Sequence, residues 1–222
     1  MPEFQVFFND HTSNDFNTLF TSLPPERPYF ATGVPGSFHG RLFPNSSLDF
    51  VHSSYALQIL SKVPKELLNK NSAAWNKGRV HYASAPDEVA QAYSTQFAKD
   101  ITTFLDYRAK ELVMVGLMVL IMPVIPNGIP HSSLRTCAIF DFLGQCLMDM
   151  AKEGLISEAQ MDTCNLPVYF ALPKEMTQLV ERNGCFSIER MEKTLPWARV
   201  DVLYVQACVM HLRAGMEGIV KL

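Results

Sequence analysis

The feature that most constrains how this 222-residue chain can fold is an uncharged apolar run from Leu112 to Met122. The run has 11 residues and is followed by Pro123, Pro126 and Pro130, whereas a membrane-spanning helix needs roughly 18 apolar residues. Its second half, Leu117 to Met122, is apolar on both faces, which is typical of an interior strand in a parallel sheet covered by helices. The run therefore predicts a strand of an α/β fold and not a membrane anchor.

The segment before this run predicts a long amphipathic helix. Ser84 is placed to cap it, and Pro86, Asp87 and Glu88 suit its first turn. Apolar residues recur every four positions and give one buried stripe: Val89, Tyr93, Phe97, Ile101 and Leu105.

Shorter strand-and-helix units precede this helix. The predicted strands are Phe4–Phe8, Tyr29–Thr32 and Leu48–Val51, and the predicted helices are Asn14–Leu23 and Tyr55–Leu60, with a turn at Gly33–Ser37. Such alternation is typical of a doubly wound sheet, which we place in residues 1–125.

After Pro130 the pattern changes to helices, so residues 126–222 are predicted to form a helical cap. The predicted helices are Leu134–Glu153, Ser157–Asp162 with a Ser-x-x-Gln capping box, Pro173–Arg182 ending near Gly184, and Val200–Met216. One strand, Cys185–Met191, is expected to return to the sheet.

Composition excludes several classes of protein. Apolar residues make up 48% of the chain, charged residues 18%, and the net charge is −3, so a disordered tail, a collagen-like fibre and a strongly basic nucleic-acid binder are all excluded. The five cysteines include no CxxC pair, and the first residues lack the basic region of a secretory signal. We therefore expect reduced thiols and a cytoplasmic location, with no membrane or nucleic-acid partner.

In open α/β sheets, ligands bind beyond the carboxyl ends of the strands, so Asp10, Ser37 and Ser53–Tyr55 are expected on one rim. Asp10 could accept hydrogen bonds from ribose hydroxyls or cap a loop. The Gly33–Gly40 segment fits neither G-x-G-x-x-G nor G-x-S-x-G, and no histidine pair or catalytic triad is visible. The spacing alone thus leaves the ligand of this rim open.

Two further groups of residues also keep alternative interpretations. Asp162 and Asn165 could offer oxygen ligands to a hard cation or simply end a helix. Tyr55, Phe140 and Tyr169 could line a pocket or belong to the core.

Motifs along the whole chain resemble one family closely. They are Phe8-Asn9-Asp10, Gly33-Val34-Pro35-Gly36-Ser37-Phe38, His52-Ser53-Ser54-Tyr55, Trp75-Asn76-Lys77-Gly78, Glu153-Gly154-Leu155-Ile156 and Asn165-Leu166-Pro167. Their sequence and order resemble the plant SABATH methyltransferases, which use S-adenosylmethionine to methylate small carboxylic acids or xanthine nitrogens. The resemblance implies a Rossmann-like class I methyltransferase sheet, here partial, with an α-helical cap.

The resemblance also implies roles for individual residues. The cofactor would contact Asp10, His11, Ser37, Phe38 and Ser54. The substrate would contact Tyr55, Gln58, Ile59, Ile139, Phe140 and Tyr169. A magnesium ion is allowed at Asn76, Asp162, the Cys164 carbonyl and Asn165, and a homodimer is also allowed. No residue is implied as an acid, base or nucleophile.

Two departures from the family pattern shape the expected function. Ile59 replaces a Trp whose indole N–H points at the carboxylate in members that methylate acids. The chain is also expected to be truncated at both ends, without the family's first and last strands. The resemblance predicts an S-adenosylmethionine-dependent carboxyl O-methyltransferase, and the alternative is an inactive truncated paralogue that retains the cap and dimer surface as an interaction protein.

Overall fold

The computed structural model describes residues 2–126, 128–129, 135–193, 210 and 213. Four strands and five α-helices lie in this part of the chain, in the order β1 (Phe4–Asp10), α1 (Phe16–Ser22), β2 (Tyr29–Pro35), β3 (Leu48–Ser54), α2 (Asp87–Glu111), β4 (Leu112–Ile121), α3 (Arg135–Lys152), α4 (Glu158–Thr163) and α5 (Pro173–Asn183). A short 3₁₀ helix, Lys65–Leu68, precedes α2. Among these residues, no helix is long and apolar enough to cross a membrane.

The chain divides into two compact units. The first comprises Met1–Ser54 with Lys99–Ile121, and the second comprises Tyr55–Ala98 with Met122–Leu222. This grouping places Tyr55–Ala98 with the carboxyl-terminal half, whereas the sequence predicts a boundary at residue 125.

The first unit contains two separate pairs of parallel strands. β1 pairs with β2 from Phe4 opposite Tyr29 to Asp10 opposite Pro35. β3 pairs with β4, and the register shifts between Leu48 and Phe50. In the described residues no strand joins the two pairs. Both strand pairs are parallel, as the sequence predicts for an α/β fold.

The register shift in the second strand pair has a local cause in β4. Val115 has a φ of 63°, a left-handed conformation that a β-branched residue rarely adopts. Four residues of β4, Val113 to Gly116, lie opposite the single residue Asp49, as in a bulge.

The second unit packs around a mixed aliphatic and aromatic core. Its buried members are Val80, Ala83, Ile125, Cys137, Phe140, Met161, Leu166, Val168 and Phe170. The helices α3, α4 and α5 of this unit begin and end within one residue of the limits expected from sequence. Ser157 forms the capping box with Gln160 at α4, and Gly184 ends α5 with a φ of 70°.

Three secondary-structure predictions are wrong in ways that have physical reasons. Tyr55–Leu60 is not a helix, because Tyr55 takes a φ of 53° and Ile59 forms an antiparallel bridge with Val168. Cys185–Met191 is irregular and has no partner strand within the described ranges. Ser84 does not cap α2: the helix begins at Asp87, and the Ser84 hydroxyl instead donates to the Asp141 carboxylate.

The sequence predicts that helices bury both faces of β4, but several of its side chains are exposed in the described part of this chain. β4 begins at Leu112, earlier than predicted, and Met114, Val115 and Leu117 are 88%, 100% and 52% exposed. The predicted helix Val200–Met216 lies outside the described residues, apart from Met210 and Arg213, which are helical.

Candidate functional site

In the first unit, Asp10 ends β1 with its carboxylate held by its neighbours. Its Oδ1 accepts from the His11 backbone N–H at 2.7 Å, and its Oδ2 accepts from Asn14 Nδ2 at 2.9 Å. Its carbonyl accepts from the Gly36 N–H at 2.9 Å, which joins the ends of β1 and β2. The side chain remains exposed, so its other lone pairs can accept hydrogen bonds from a ligand.

The loop after β2 requires glycine at its first position. Gly36 has a φ of 149°, and a Cβ built there would lie 3.0 Å from Leu42 Cδ2. Asn9 Nδ2 donates to the carbonyls of Val34 and Gly36 at 2.8 and 2.9 Å. Because the backbone is fixed on both sides of Gly36, the loop presents Ser37 next to the end of β1.

The remaining predicted cofactor residues lie at the ends of strands. Ser37 is exposed, and Phe38 is half-buried with its ring 4.3 Å from that of His39. His11 is exposed, and its Nδ1 lies 3.2 Å from Ser13 Oγ. The structure brings Asp10, His11 and the Ser37–Phe38 pair together at the ends of β1 and β2, whereas Ser54 ends β3 in the other strand pair.

Sequence reasoning missed a buried ion pair in the first unit. Arg108 and Glu111 lie in the last turn of α2, and their side chains are 4% and 0% exposed. A signal was available, since Glu111 directly precedes the apolar run at Leu112 and stands three residues after Arg108. Such i, i+3 pairs are common on exposed helix faces, however, and burial is not readable from this spacing.

In the second unit, the predicted substrate segment begins with a strained residue. Tyr55 has a left-handed backbone and a side chain that is 47% exposed. Gln58 Nε2 donates to the Tyr55 carbonyl at 2.7 Å, while Gln58 Oε1 is buried with no hydrogen-bond partner in the part of the chain described. Ile59 is partly buried against the core and offers no donor. The side-chain polar groups of this segment are therefore the Gln58 amide and the exposed Tyr55 hydroxyl.

Tyr169 and Phe140, also predicted to face substrate, are buried among other aromatic rings. Tyr169 is 3% exposed, lies 5.1 Å from the Phe97 ring, and donates its hydroxyl to Glu175 Oε1 at 2.8 Å. Burial, and then its hydrogen bond and proximity to Glu175, raise the pKa of the Tyr169 hydroxyl, so this group stays protonated near neutral pH. It is therefore unsuited to act as a base.

Phe140 and its neighbour Ile139 differ in exposure. Phe140 is 4% exposed and stacks on Phe170 at 6.1 Å, whereas Ile139 is 44% exposed. Phe140 also lines an open cavity of about 500 Å³, together with Gly78, Val80, Asp141, Gly144 and Met148.

Of the residues predicted to bind a cation, Asn76 and Asn165 contact each other directly. Asn76 Nδ2 donates to Asn165 Oδ1 at 2.8 Å, and both side chains are buried. Asp162 Oδ1 accepts from the Gly78 N–H at 3.2 Å. Asn76 Oδ1 is buried without a hydrogen-bond partner in the described ranges. Burial raises the pKa of the Cys164 thiol, so only its backbone carbonyl suits a hard cation.

No group of three or more His, Cys, Asp or Glu side chains gathers anywhere in the described part of the chain. A metal site at Asn76 would therefore depend on amide and carbonyl oxygens with a single carboxylate. Such donor sets bind calcium or magnesium, and they are not the imidazole and thiolate sets typical of zinc.

Comparison with known proteins gives a consistent result. The sequence profile described as SAM-dependent carboxyl methyltransferase matches residues 1–222. Loganic acid O-methyltransferase of Catharanthus roseus is 48% identical over 220 residues, or 98% of this chain. Farnesoic acid carboxyl-O-methyltransferase of Arabidopsis thaliana is 46% identical over 191 residues, and caffeine synthase 1 of Camellia taliensis is 42% identical over 199, each covering 86% of this chain.

A solved structure supports the same assignment. Loganic acid methyltransferase with SAH superposes with a TM-score of 0.92 at 47% identity, covering 98% of this chain and 62% of that one. The chain spans 59%, 55% and 54% of the lengths of the three sequence relatives. Because the family profile matches the chain from end to end, this protein belongs to the SAM-dependent carboxyl methyltransferases, the SABATH family that its motifs resemble.

Proposed function

We propose that this protein transfers a methyl group from S-adenosylmethionine to the carboxylate of a small organic acid. The observation that carries the proposal is the similarity of almost the whole chain to loganic acid O-methyltransferase, at 48% identity. When bound, S-adenosylmethionine supplies a methyl group already activated on a sulfonium. The protein then has to bind, orient and exclude water, and proximity and orientation account for the rate.

In this proposal, the rim of the first unit holds the adenosine end of the cofactor. The exposed Asp10 carboxylate accepts hydrogen bonds from the ribose hydroxyls, as acidic residues at strand ends commonly do. The Phe38 ring stacks on the adenine, with Ser37 beside it. His11 and Ser54 complete the set of proposed cofactor contacts.

The substrate segment of the second unit favours an acid that carries a hydroxyl group. Gln58 Oε1 is a buried acceptor without a donor in the described ranges, which costs about 1–3 kcal/mol. A substrate hydroxyl would remove that cost, whereas Ile59 can only contact the apolar body of the acid. Tyr55, Ile139, Phe140 and Tyr169 are the remaining proposed contacts.

A non-catalytic interaction protein is the second candidate. The observation that favours it is the exposure of apolar strand residues in the first unit, with Phe30 at 60% and Met114 at 88%. Exposed apolar surface of this kind is typical of faces that another segment or protein covers. The cytoplasmic location and the homodimer that the sequence predicts remain predictions for both candidates.

Transfer of labelled methyl from S-adenosylmethionine separates the two candidates. The acceptors are salicylate, benzoate and loganic acid, assayed with the chain as given and with a form extended at its amino terminus by the corresponding segment of the loganic acid relative. We expect no turnover of salicylate or benzoate by the chain alone. It spans 59% of the length of the loganic acid relative, so fewer residues hold the methyl group in line with the acceptor. Even a small misplacement of that group can lower the rate about 100-fold. The extended form should act on loganic acid, whose hydroxyl groups can bond to Gln58.

Two variants of the extended form serve as controls. Gln58→Leu should lower kcat/KM for loganic acid by about tenfold and leave benzoate unchanged, since only the former has hydroxyls to bond. Asp10→Ala should weaken cofactor binding with every acid. Turnover of salicylate or benzoate by the chain alone would refute the expected inactivity, and an inactive extended form would favour the interaction protein.

We further propose a weak magnesium site formed by Asn76, Asp162, Asn165 and the Cys164 carbonyl. Its oxygen donors fit the ion, and Asn76 Oδ1, which has no hydrogen-bond partner in the described ranges, would coordinate it. Millimolar magnesium should raise the Tm of the wild type but not of Asp162→Asn. Asp149→Asn, which neutralises a 67% exposed carboxylate, is the matched control and should respond like the wild type. An equal rise in all three proteins would exclude the site.

A further inference from the structure

The buried ion pair at the end of α2 lies under the loop that carries Ser37 and Phe38. Arg108 Nε is 2.7 Å from Glu111 Oε2, in close ionic contact. Burial lowers the pKa of Arg108, and the Glu111 carboxylate opposes that shift. Desolvation offsets much of the attraction in a buried pair, so stability alone is a weak explanation for its presence.

The other polar atoms of the pair bond to the backbone of the loop. Arg108 Nη1 donates to the Phe38 carbonyl at 3.3 Å, and Nη2 donates to the Gly40 carbonyl at 2.8 Å. Glu111 Oε1 accepts from the backbone N–H groups of Leu42 and Phe43 at 2.6 and 3.0 Å. Two buried side chains thus fix backbone groups at both ends of the segment Phe38–Phe43.

The same part of α2 also contacts the Phe38 ring. Phe104, one turn before Arg108, lies edge-on to Phe38 at 6.4 Å between ring centroids. The Arg108 guanidinium carbon lies 5.3 Å from the centre of the Phe104 ring. The conformation of the loop and the direction of the Phe38 ring are therefore determined by one set of neighbouring side chains.

We infer that Arg108 and Glu111 are positioning residues, which hold the loop Phe38–Phe43 so that the Phe38 ring meets the adenine of the cofactor. This inference rests on the proposed function, because it assumes that Phe38 contacts the cofactor. Neither residue touches the cofactor in this account. Both act through the backbone of the loop.

The test uses a double substitution, Arg108→Met with Glu111→Leu. Removing one partner would leave an uncompensated buried charge, whereas replacing both with apolar residues of similar size is commonly tolerated. Hydrogen exchange should be faster at the Leu42 and Phe43 amides, which lose their acceptor. Titration with S-adenosylhomocysteine should show an affinity about 3- to 10-fold lower, the range expected for losing an aromatic stack.

A double-mutant cycle distinguishes positioning from general destabilisation. In a Phe38→Ala background, the Arg108→Met/Glu111→Leu change should cost no further affinity, because the pair acts through that ring. In a Ser54→Ala background, it should cost the full 3- to 10-fold. Equal losses in both backgrounds would overturn the inference, as would unchanged exchange at Leu42 and Phe43.

A second variant covers the case in which the double substitution does not fold. Arg108→Lys keeps the charge, but its single ammonium group cannot bond two carbonyls in the fixed geometry of a guanidinium. We expect an affinity loss of about 2- to 3-fold, again absent in the Phe38→Ala background. Absence of binding by the wild type, or binding that Phe38→Ala does not weaken, would overturn the cofactor assignment itself. Binding that Phe38→Ala weakens but the Arg108 and Glu111 variants do not would overturn only the positioning role.

Discussion

The β1–β2 pair of the first unit and the core of the second unit bury their aromatic residues to very different extents. In the second unit, Tyr93, Phe97 and Phe170 are 0%, 1% and 6% exposed. In the first unit, Phe4 and Phe30 on the β1–β2 pair are 59% and 60% exposed. These two rings of the β1–β2 pair are therefore largely exposed in the described part of the chain, whereas the second unit has an aromatic core of its own.

This difference suggests where the stability of the chain resides. Burial of apolar surface is the main favourable term in folding, and isolated two-stranded sheets are marginal in water. We therefore expect the global unfolding transition to report on the second unit. The strands of the first unit, which carry most of the proposed cofactor contacts, should contribute less to that transition.

The largest effect on stability is expected when a phenylalanine is replaced by alanine in each of the two units. Phe97→Ala removes a ring that is 1% exposed and should lower the free energy of unfolding by about 3–5 kcal/mol. Phe30→Ala removes a ring that is 60% exposed and should change it by less than about 0.5 kcal/mol. Urea denaturation followed by circular dichroism measures both. Equal losses would contradict the expected difference between a buried and an exposed ring.

A smaller effect on stability is expected when the capping side chains of α4 and α1 are removed. Ser157 accepts from the Gln160 N–H in the capping box of α4, and Ser157→Ala should cost about 1 kcal/mol, or roughly 2–4 °C in Tm. Asp15 accepts from the Asn17 and Thr18 N–H groups at α1, a helix with no buried residue. Asp15→Ala should leave the main thermal transition unchanged, because fraying of α1 exposes no core. A larger shift for Asp15→Ala than for Ser157→Ala would contradict this ranking.

Caps and periodicity predicted much of the second unit correctly. α4 and α5 begin and end close to their predicted limits, since a Ser-x-x-Gln box and a terminal glycine act within a few residues of one another. The stripe from Val89 to Leu105, whose last two members belong to the first unit, is also buried as predicted. Tyr55–Leu60 was predicted wrongly because its bridge to Val168 depends on a segment more than one hundred residues away.

The candidate site shows the same division between local and distant information. Motif resemblance predicted a cofactor role for Asp10, Ser37 and Phe38, and the structure places these residues at neighbouring strand ends. The motifs could not identify the contacts of Arg108 and Glu111 with the loop Phe38–Phe43. Those two residues are about seventy positions away from the loop and resemble an ordinary surface pair.

The sequence by itself determined the family, the parallel α/β character and most helix limits, because motifs, caps and apolar periodicity are properties of neighbouring residues. Only the tertiary structure decided that Gln58 retains a buried acceptor, that Tyr169 donates to Glu175, and that an ion pair at the end of α2 fixes the loop of Phe38. Burial and long-range hydrogen bonds depend on which distant segments meet. Those meetings are set by the packing of the whole fold, which no local pattern encodes.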